Sequence, residues 1–134
     1  MPKRYSFFGH RFIKSQNFFH IQSIESIDNT PPSSTIYIEF SEKNLDIISF
    51  ASSSTIPMAV HVKNITELLY ASSFGASYII VEKELAKAAQ SIAENYLFDA
   101  KILVFVTEEH EIEELGLLGV DGVIFSDAII KTNS

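Results

Sequence analysis

Two short polar signals in the first forty residues carry residue types that can bind metal ions and anions. His10 and Arg11 lie together in the stretch Gly-His-Arg, and Glu39 is the last residue but one of the β-type run IYIEF at residues 36–40. Histidine nitrogens and carboxylates bind metal ions, and the planar fork of an arginine binds phosphate oxygens in pairs. His10, Arg11 and Glu39 are therefore the candidate catalytic residues.

A second set of polar residues lies where later strands are predicted to end. Parallel sheets and barrels bind ligands at the carboxyl ends of their strands. The candidate ligand-binding residues are therefore Lys63, Glu82, Thr107, Ser126 and Asp127. His61 and His20 lie in apolar or aromatic stretches, where a histidine is usually a hydrogen-bonded core or interface residue.

The chain carries no complete catalytic set. It has no cysteine, which excludes thiol nucleophiles, disulfides and cysteine-based metal sites. It also has no glycine-rich phosphate loop, no serine–histidine–acid order and no paired-histidine metal spacing. The sequence leaves catalysis undecided but leans against it, and the only cofactor that it leaves open is a divalent metal.

The elements that must position these residues alternate regularly from residue 35 onward. Five strands are predicted, at residues 36–40, 58–62, 78–81, 101–106 and 122–125. Helices are predicted between them, and the clearest one, at residues 84–97, has its apolar residues on a single face. Residues 56–87 also match residues 100–131 after a shift of 44 positions. A repeated strand–helix order predicts right-handed crossovers and a parallel sheet.

Two α/β architectures fit five parallel strands in βα repeats. An open, flavodoxin-like sheet would have helices on both faces, and it is slightly favoured. A half-barrel would leave a bare concave apolar face, which would have to be covered by a second copy. A homodimer is expected in either case.

The first 34 residues do not follow the repeat. They hold six of the sixteen aromatic residues, and residues 5–8 and 18–24 are possible strands. The prediction is an aromatic amino-terminal arm at 1–34 that packs on a βα-repeat body at 35–134, the two forming one domain.

Charge and hydropathy limit the partners. The net charge of −7 argues against binding nucleic acid through its phosphates. No apolar run reaches the length that spans a membrane, and no signal peptide is evident. A cytoplasmic protein without a nucleic-acid or membrane partner is predicted.

The carboxyl-terminal third resembles the end of (βα)8-barrel proteins of the glycerophosphodiester phosphodiesterase type. The likeness lies in VFVTEEHEIEELGLLGVDGVIFSD, residues 104–127, and upstream the Gly-His-Arg at 9–11 and Glu39 resemble that family's opening motif and metal-binding glutamate. The resemblance implies barrel-type βα units and, less directly, metal-dependent phosphodiesterase activity. Phe12 replaces a family glycine, and the chain is too short to close a whole barrel of that type.

Three functions follow from these observations. The leading one is a non-catalytic binding or interaction domain for a small molecule or partner. The first alternative is a degenerate or minimal metal-dependent phosphodiesterase or phosphate-ligand domain. The second is a receiver-like regulatory module, since residues 56–83 resemble the later half of response-regulator receivers.

Overall fold

A computed structural model describes residues 3–132 and shows one sheet of eight strands. Every neighbouring pair in the sheet is parallel. The order across the sheet is β1-β7-β6-β5-β4-β3-β2-β8. The strands are β1 Ser6–Phe8, β2 Phe18–His20, β3 Thr35–Glu39, β4 Met58–His61, β5 Tyr78–Val81, β6 Lys101–Phe105, β7 Gly122–Ile124 and β8 Ile129–Lys131.

Four α-helices in the described residues all pack against the same face of the sheet. They are α1 Leu45–Ser53, α2 Ile65–Ser73, α3 Ala86–Asn95 and α4 Glu111–Leu118. Their buried residues join alternate residues of the strands in one large apolar core. The second core contains strand residues and Ala128 but no residue from any of these helices. The helices therefore form an outer layer, and the opposite face of the sheet is the inner one.

The repeat of 44 residues is visible at the starts and ends of two helices. Before α2, the carboxylate of Glu67 accepts a hydrogen bond from the backbone N–H of Lys63 at 2.8 Å. Before α4, the carboxylate of Glu111 accepts one from the backbone N–H of Thr107 at 3.2 Å. Both helices are followed by a glycine with positive φ, at +84° and +91°, a conformation that glycine adopts without strain.

The two repeats differ after their second strand. β5 leads through a 3-10 turn, Lys83–Leu85, into α3, whereas β7 leads through the 3-10 turn Ser126–Ala128 into β8. The turn Ser126–Ala128 occupies three residues, and the chain then forms a strand that pairs with β2.

The inner face is filled by aromatic and aliphatic side chains from seven strands. The ring centroid of Phe18 in β2 lies 5.1 Å from Phe8 in β1 and 5.1 Å from Tyr78 in β5. β2 and β5 are three places apart in the sheet, which would separate them by roughly 14 Å if the sheet were flat. The sheet is therefore strongly curled. The inner core comprises Phe8, Phe18, Tyr37, Ala59, Ile80, Leu103, Ile124 and Ala128.

The result is an open, curled sheet, a half-barrel, because β1 and β8 at its two ends share no ladder in the described residues. The half-barrel alternative is confirmed and the favoured flavodoxin-like sheet is wrong, since all four helices lie on one side. The count of about five strands is also wrong. The three additional strands are three residues long. β1 and β2 lie within residues 5–8 and 18–24, which the sequence marks as possible strands, whereas β8 is not anticipated.

The aromatic residues of the amino-terminal segment explain why the concave face is not bare. Phe8 and Phe18 are 6% and 0% exposed and fill the inner face from β1 and β2. The argument for a homodimer that covers this face therefore loses its basis, and the homodimer itself stays a prediction. The boundary between residues 34 and 35 also stays a prediction.

No helix within residues 3–132 combines the length and the apolar character needed to cross a bilayer.

Candidate functional site

A row of hydrogen-bonded polar side chains crosses the carboxyl end of the concave face. The phenol oxygen of Tyr37 lies 2.5 Å from Nδ1 of His61, and Nε2 of His61 lies 2.8 Å from a carboxylate oxygen of Glu82. Tyr37 belongs to the inner core, and His61 and Glu82 each follow an inner-core residue, Ala59 or Ile80, by two positions. Because side chains alternate along a strand, all three face the inside of the half-barrel.

The hydrogen bonds select one tautomer of a singly protonated His61 ring. An ionised carboxylate only accepts, so the ring proton then lies on Nε2 and is donated to Glu82, and Nδ1 accepts the phenol proton of Tyr37. Burial, followed by the charges of Glu39 and Glu82, raises the pKa of Tyr37 above its usual value of 10. The phenol is therefore protonated at neutral pH and acts as a hydrogen-bond donor rather than a nucleophile.

His20 extends the row toward the edge of the sheet. Its ring meets the ring of Tyr37 edge to face, with centroids 5.1 Å apart. Burial lowers the pKa of His20, while Glu39 raises it and Lys131 lowers it further. Since the net shift is downward from 6.5, His20 is mostly neutral at pH 7.

The rim of the concave face is polar, and its floor is aromatic. Phe105 stacks on His61 with centroids 6.2 Å apart. Glu39 and Glu82 are exposed carboxylates at the ends of β3 and β5, and Lys131 is an exposed ammonium at the end of β8. We call this set of side chains the mouth; it comprises Lys131, His20, Tyr37, Glu39, His61, Glu82 and Phe105. Its two carboxylates outnumber its one ammonium.

A second polar cluster follows β1. The guanidinium of Arg11 donates to both carboxylate oxygens of Glu109, at 2.7 and 3.1 Å. Nε2 of His10 lies 3.5 Å from the same carboxylate, and its Nδ1 accepts the backbone N–H of Phe12 at 3.1 Å. The hydrogen bond from Arg11 is the main cause that lowers the pKa of Glu109. Arg11 is thus already paired with a carboxylate of its own chain.

This cluster forms one wall of a cleft of about 310 Å³. The cleft brings together four of the predicted site residues, while Ser126 is exposed beside it. Three carboxylates also lie along it, which disfavours an anionic ligand. The lining residues are Gly9, His10, Arg11, Thr107, Glu108, Glu109, Phe125 and Asp127.

The site residues predicted from the sequence are therefore divided between the mouth and the cleft that follows β1. Within residues 3–132 no contact joins His10 to Glu39, since His10 pairs with Glu109 and Glu39 lies at the mouth. Lys63 takes part through its backbone in the start of α2, and its side chain is exposed. The part of the chain that the structure describes contains no group of three His, Asp or Glu side chains that could hold a metal ion. Glu39 as a metal ligand stays a prediction.

Sequence reasoning missed Tyr37 and Glu109 as site residues and placed His61 in the core. The only available signal was alternation, which puts Tyr37 on the same face as Glu39. The contact between His61 and Tyr37 depends on the register in which Glu39 pairs with His61, and no local pattern encodes this register.

A scan of the sequence against protein-family models finds no match, and a search of curated protein sequences finds none.

Proposed function

We propose that the chain is a small-molecule binding domain whose ligand lies over the mouth of the half-barrel. The observation that carries this proposal is the hydrogen-bonded row Tyr37–His61–Glu82, which runs from the middle of β3 to the carboxyl ends of β4 and β5. Parallel α/β sheets bind their ligands at this end. Partners in the row hold each side chain in one orientation, so the site is ordered before a ligand arrives.

The charges at the mouth indicate what kind of ligand fits. Glu39 and Glu82 present acceptor oxygens, and with Lys131 the mouth carries an excess of one negative charge. Glu82 uses one oxygen for His61, so its other oxygen is available to a donor. The ligand class that fits is a small polar molecule that carries a protonated amine or several hydroxyl groups.

Binding rather than catalysis agrees with the proton positions. The raised pKa of Tyr37 keeps its phenol protonated, and the Nδ1 lone pair of His61 is occupied by that phenol. Neither group is free to attack or to deprotonate a ligand while the row is intact. The row therefore positions the Glu82 carboxylate, which is its exposed end.

A titration followed by nuclear magnetic resonance tests this proposal. Amino sugars, polyamines and neutral sugars are added to the labelled chain, and the imidazole and backbone signals are recorded. We expect ligands of this class to shift the signals of His61 and its neighbours, and His61→Phe to weaken binding at least tenfold. The control is His110→Phe, because His110 is an exposed residue before α4. If His61→Phe binds as well as the parent chain, or only signals outside the mouth shift, the proposal is refuted.

A phosphodiesterase-like activity is a second candidate. The observation that favours it is that His10, Arg11, Thr107 and Asp127 line one cleft at the carboxyl end of the sheet. Ca²⁺ or Mg²⁺ should then raise the Tm, by an amount equivalent to about 2.7 kcal/mol at a hundredfold excess over Kd. The chain should also cleave bis(p-nitrophenyl) phosphate, and Asp127→Ala should abolish both effects, because Asp127 lines this cleft. A flat melting profile with either ion counts against this candidate.

The receiver-like alternative expects helices on both faces of an open sheet. All four helices of the described residues lie on the outer face, so this alternative has no support from the architecture. It stays a prediction about function without an observation that favours it.

A further inference from the structure

A second concave feature lies on the helix side of the sheet. It is a cleft of about 640 Å³ between the 3-10 turn before α1 and the helix α2. We call it the helix-side cleft. Its base is Phe40, which follows β3 and belongs to the core between the sheet and the helices. The mouth, in contrast, is lined by residues of the inner face such as Tyr37. Its volume falls in the range of about 300–1,000 Å³ that small-molecule sites occupy.

Three of the four apolar residues that line this cleft are aromatic. The rings of Phe40 and Tyr70 are stacked, with centroids 5.8 Å apart and planes inclined by 27°. Phe40 is 7% exposed and fixed in the core, whereas Tyr70 is 52% exposed. Leu45 and Phe74 complete the apolar part. A half-exposed ring beside a buried one offers a flat surface on which another flat ring can stack.

The charge of the helix-side cleft selects among flat molecules. Glu42 and Glu67 line it, and none of its nine lining residues, all within the described part, is basic. The start of α2 contributes the equivalent of about +0.5 charge, which two full carboxylates exceed. The local field is therefore negative and favours a cation, which also gains from contact with the faces of Phe40 and Tyr70.

A polar atom in the wall lacks a partner. The hydroxyl oxygen of Ser41 is buried and makes no hydrogen bond within the described residues, and Ser41 lines the cleft. Buried hydroxyl groups nearly always have a partner, because leaving one unpaired is costly. A ligand with a hydrogen-bonding group would satisfy it.

We propose that the helix-side cleft binds a flat aromatic molecule that carries a positive charge. Three independent features support this occupant: the half-exposed stacked rings, the acidic rim without a basic residue, and the unpaired Ser41 hydroxyl. This site is separate from the mouth and does not depend on the function proposed for it.

A matched pair of probes tests the proposal. 9-Aminoacridinium and acridine-9-carboxylate have the same ring system and opposite charges, both carry a hydrogen-bonding group, and binding of either is followed by its fluorescence. We expect 9-aminoacridinium to bind saturably at one site and at least tenfold more tightly than acridine-9-carboxylate, a difference of about 1.4 kcal/mol. Tyr70→Ser should raise the Kd of the cation about tenfold, and Glu42→Gln should narrow the difference between the two probes.

Control variants separate this site from general effects of charge or surface. Tyr96→Ser changes a tyrosine that is 69% exposed and lies at the end of α3, and it should leave the Kd unchanged. Glu113→Gln removes an exposed carboxylate from α4 with the same expectation. His61→Phe should also leave the Kd unchanged, because it alters only the mouth.

Three results would overturn the proposal. The first is tighter or equal binding of the anionic probe. The second is a Kd for the cation that Tyr70→Ser does not change while circular dichroism shows a folded variant. The third is an apparent Kd that rises with protein concentration as the chain dimerises, because a second copy would then occupy the cleft.

Discussion

Replacing Phe18 by alanine tests whether the amino-terminal segment completes the interior of the half-barrel. Phe18 is 0% exposed, although it lies in a strand of only three residues within a stretch that shows no repeat. Its ring centroid lies 5.1 Å from that of Phe8 in β1 and 5.1 Å from that of Tyr78 in β5. Removing the ring would leave a cavity where the two sides of the curled sheet meet.

The expected cost follows from this packing. Truncating a buried phenylalanine to alanine costs about 3–5 kcal/mol through lost transfer free energy and the cavity left behind. The total free energy of unfolding of a domain is about 5–15 kcal/mol. Phe18→Ala should therefore remove a large share of the stability and lower the Tm by roughly 10–20 °C.

Guanidinium denaturation followed by far-ultraviolet circular dichroism measures this change. The matched control is Phe12→Ala, because Phe12 is 71% exposed in the same segment. Its free energy of unfolding should stay within about 0.5 kcal/mol of the parent value. A cost below about 1 kcal/mol for Phe18→Ala would show that this ring does not fill the interior, and the reasoning on the concave face would be wrong.

Three further predictions concern pH, backbone conformation and an ion pair. Burial raises the pKa of Tyr5 to about 12 from 10. The contribution of the protonated Tyr5 phenol to stability should therefore be complete below pH 10 and be lost as the pH rises through 12. The free energy of unfolding should fall over that range, and Tyr5→Phe should flatten this fall. A Cβ at Gly9 would lie 2.8 Å from a backbone nitrogen, whereas a Cβ at Gly119 would meet nothing within 4 Å, and both residues have positive φ. Gly9→Ala should therefore lower the Tm clearly more than Gly119→Ala. Equal shifts in Tm would contradict the close approach at Gly9. The hydrogen bond from Arg11 is the main cause of the lowered pKa of Glu109. Arg11→Ala should therefore raise the pKa of the Glu109 carboxyl group, measured from its carbon resonance. An unchanged pKa would show that the ion pair does not form in solution.

The βα repeat was predictable because its signals are local. The strand Lys101–Phe105 contains a continuous apolar run at residues 102–105. The start of α2 follows a fixed spacing, because the side chain of Asn64 accepts the N–H of Glu67 at 2.8 Å. Each signal spans fewer than about a dozen residues. The strands from β3 to β7 could therefore be located from sequence.

The curvature and the site could not be predicted in the same way. The aromatic rings of residues 8, 18 and 78 meet inside the curled sheet, and residue 78 is 60 positions from residue 18 and 70 from residue 8. The pairing of Arg11 with Glu109 spans 98 positions. The likeness of Gly-His-Arg and Glu39 to a metal site predicts one site for His10 and Glu39 from residue type alone. The register of the strands places the two residues in different clusters.

The tautomer of the His61 imidazole tests the ordered mouth most directly, and a long-range proton–nitrogen correlation spectrum of the histidine side chains measures it. For a singly protonated ring, the hydrogen bonds to Tyr37 and Glu82 predict a proton on Nε2 and an acceptor Nδ1. Glu82→Gln should alter this pattern, while the signals of His110 remain as they were. A His61 spectrum that shows the proton on Nδ1, or the averaged pattern of a freely exposed ring, would contradict the row of hydrogen bonds on which the proposed site rests.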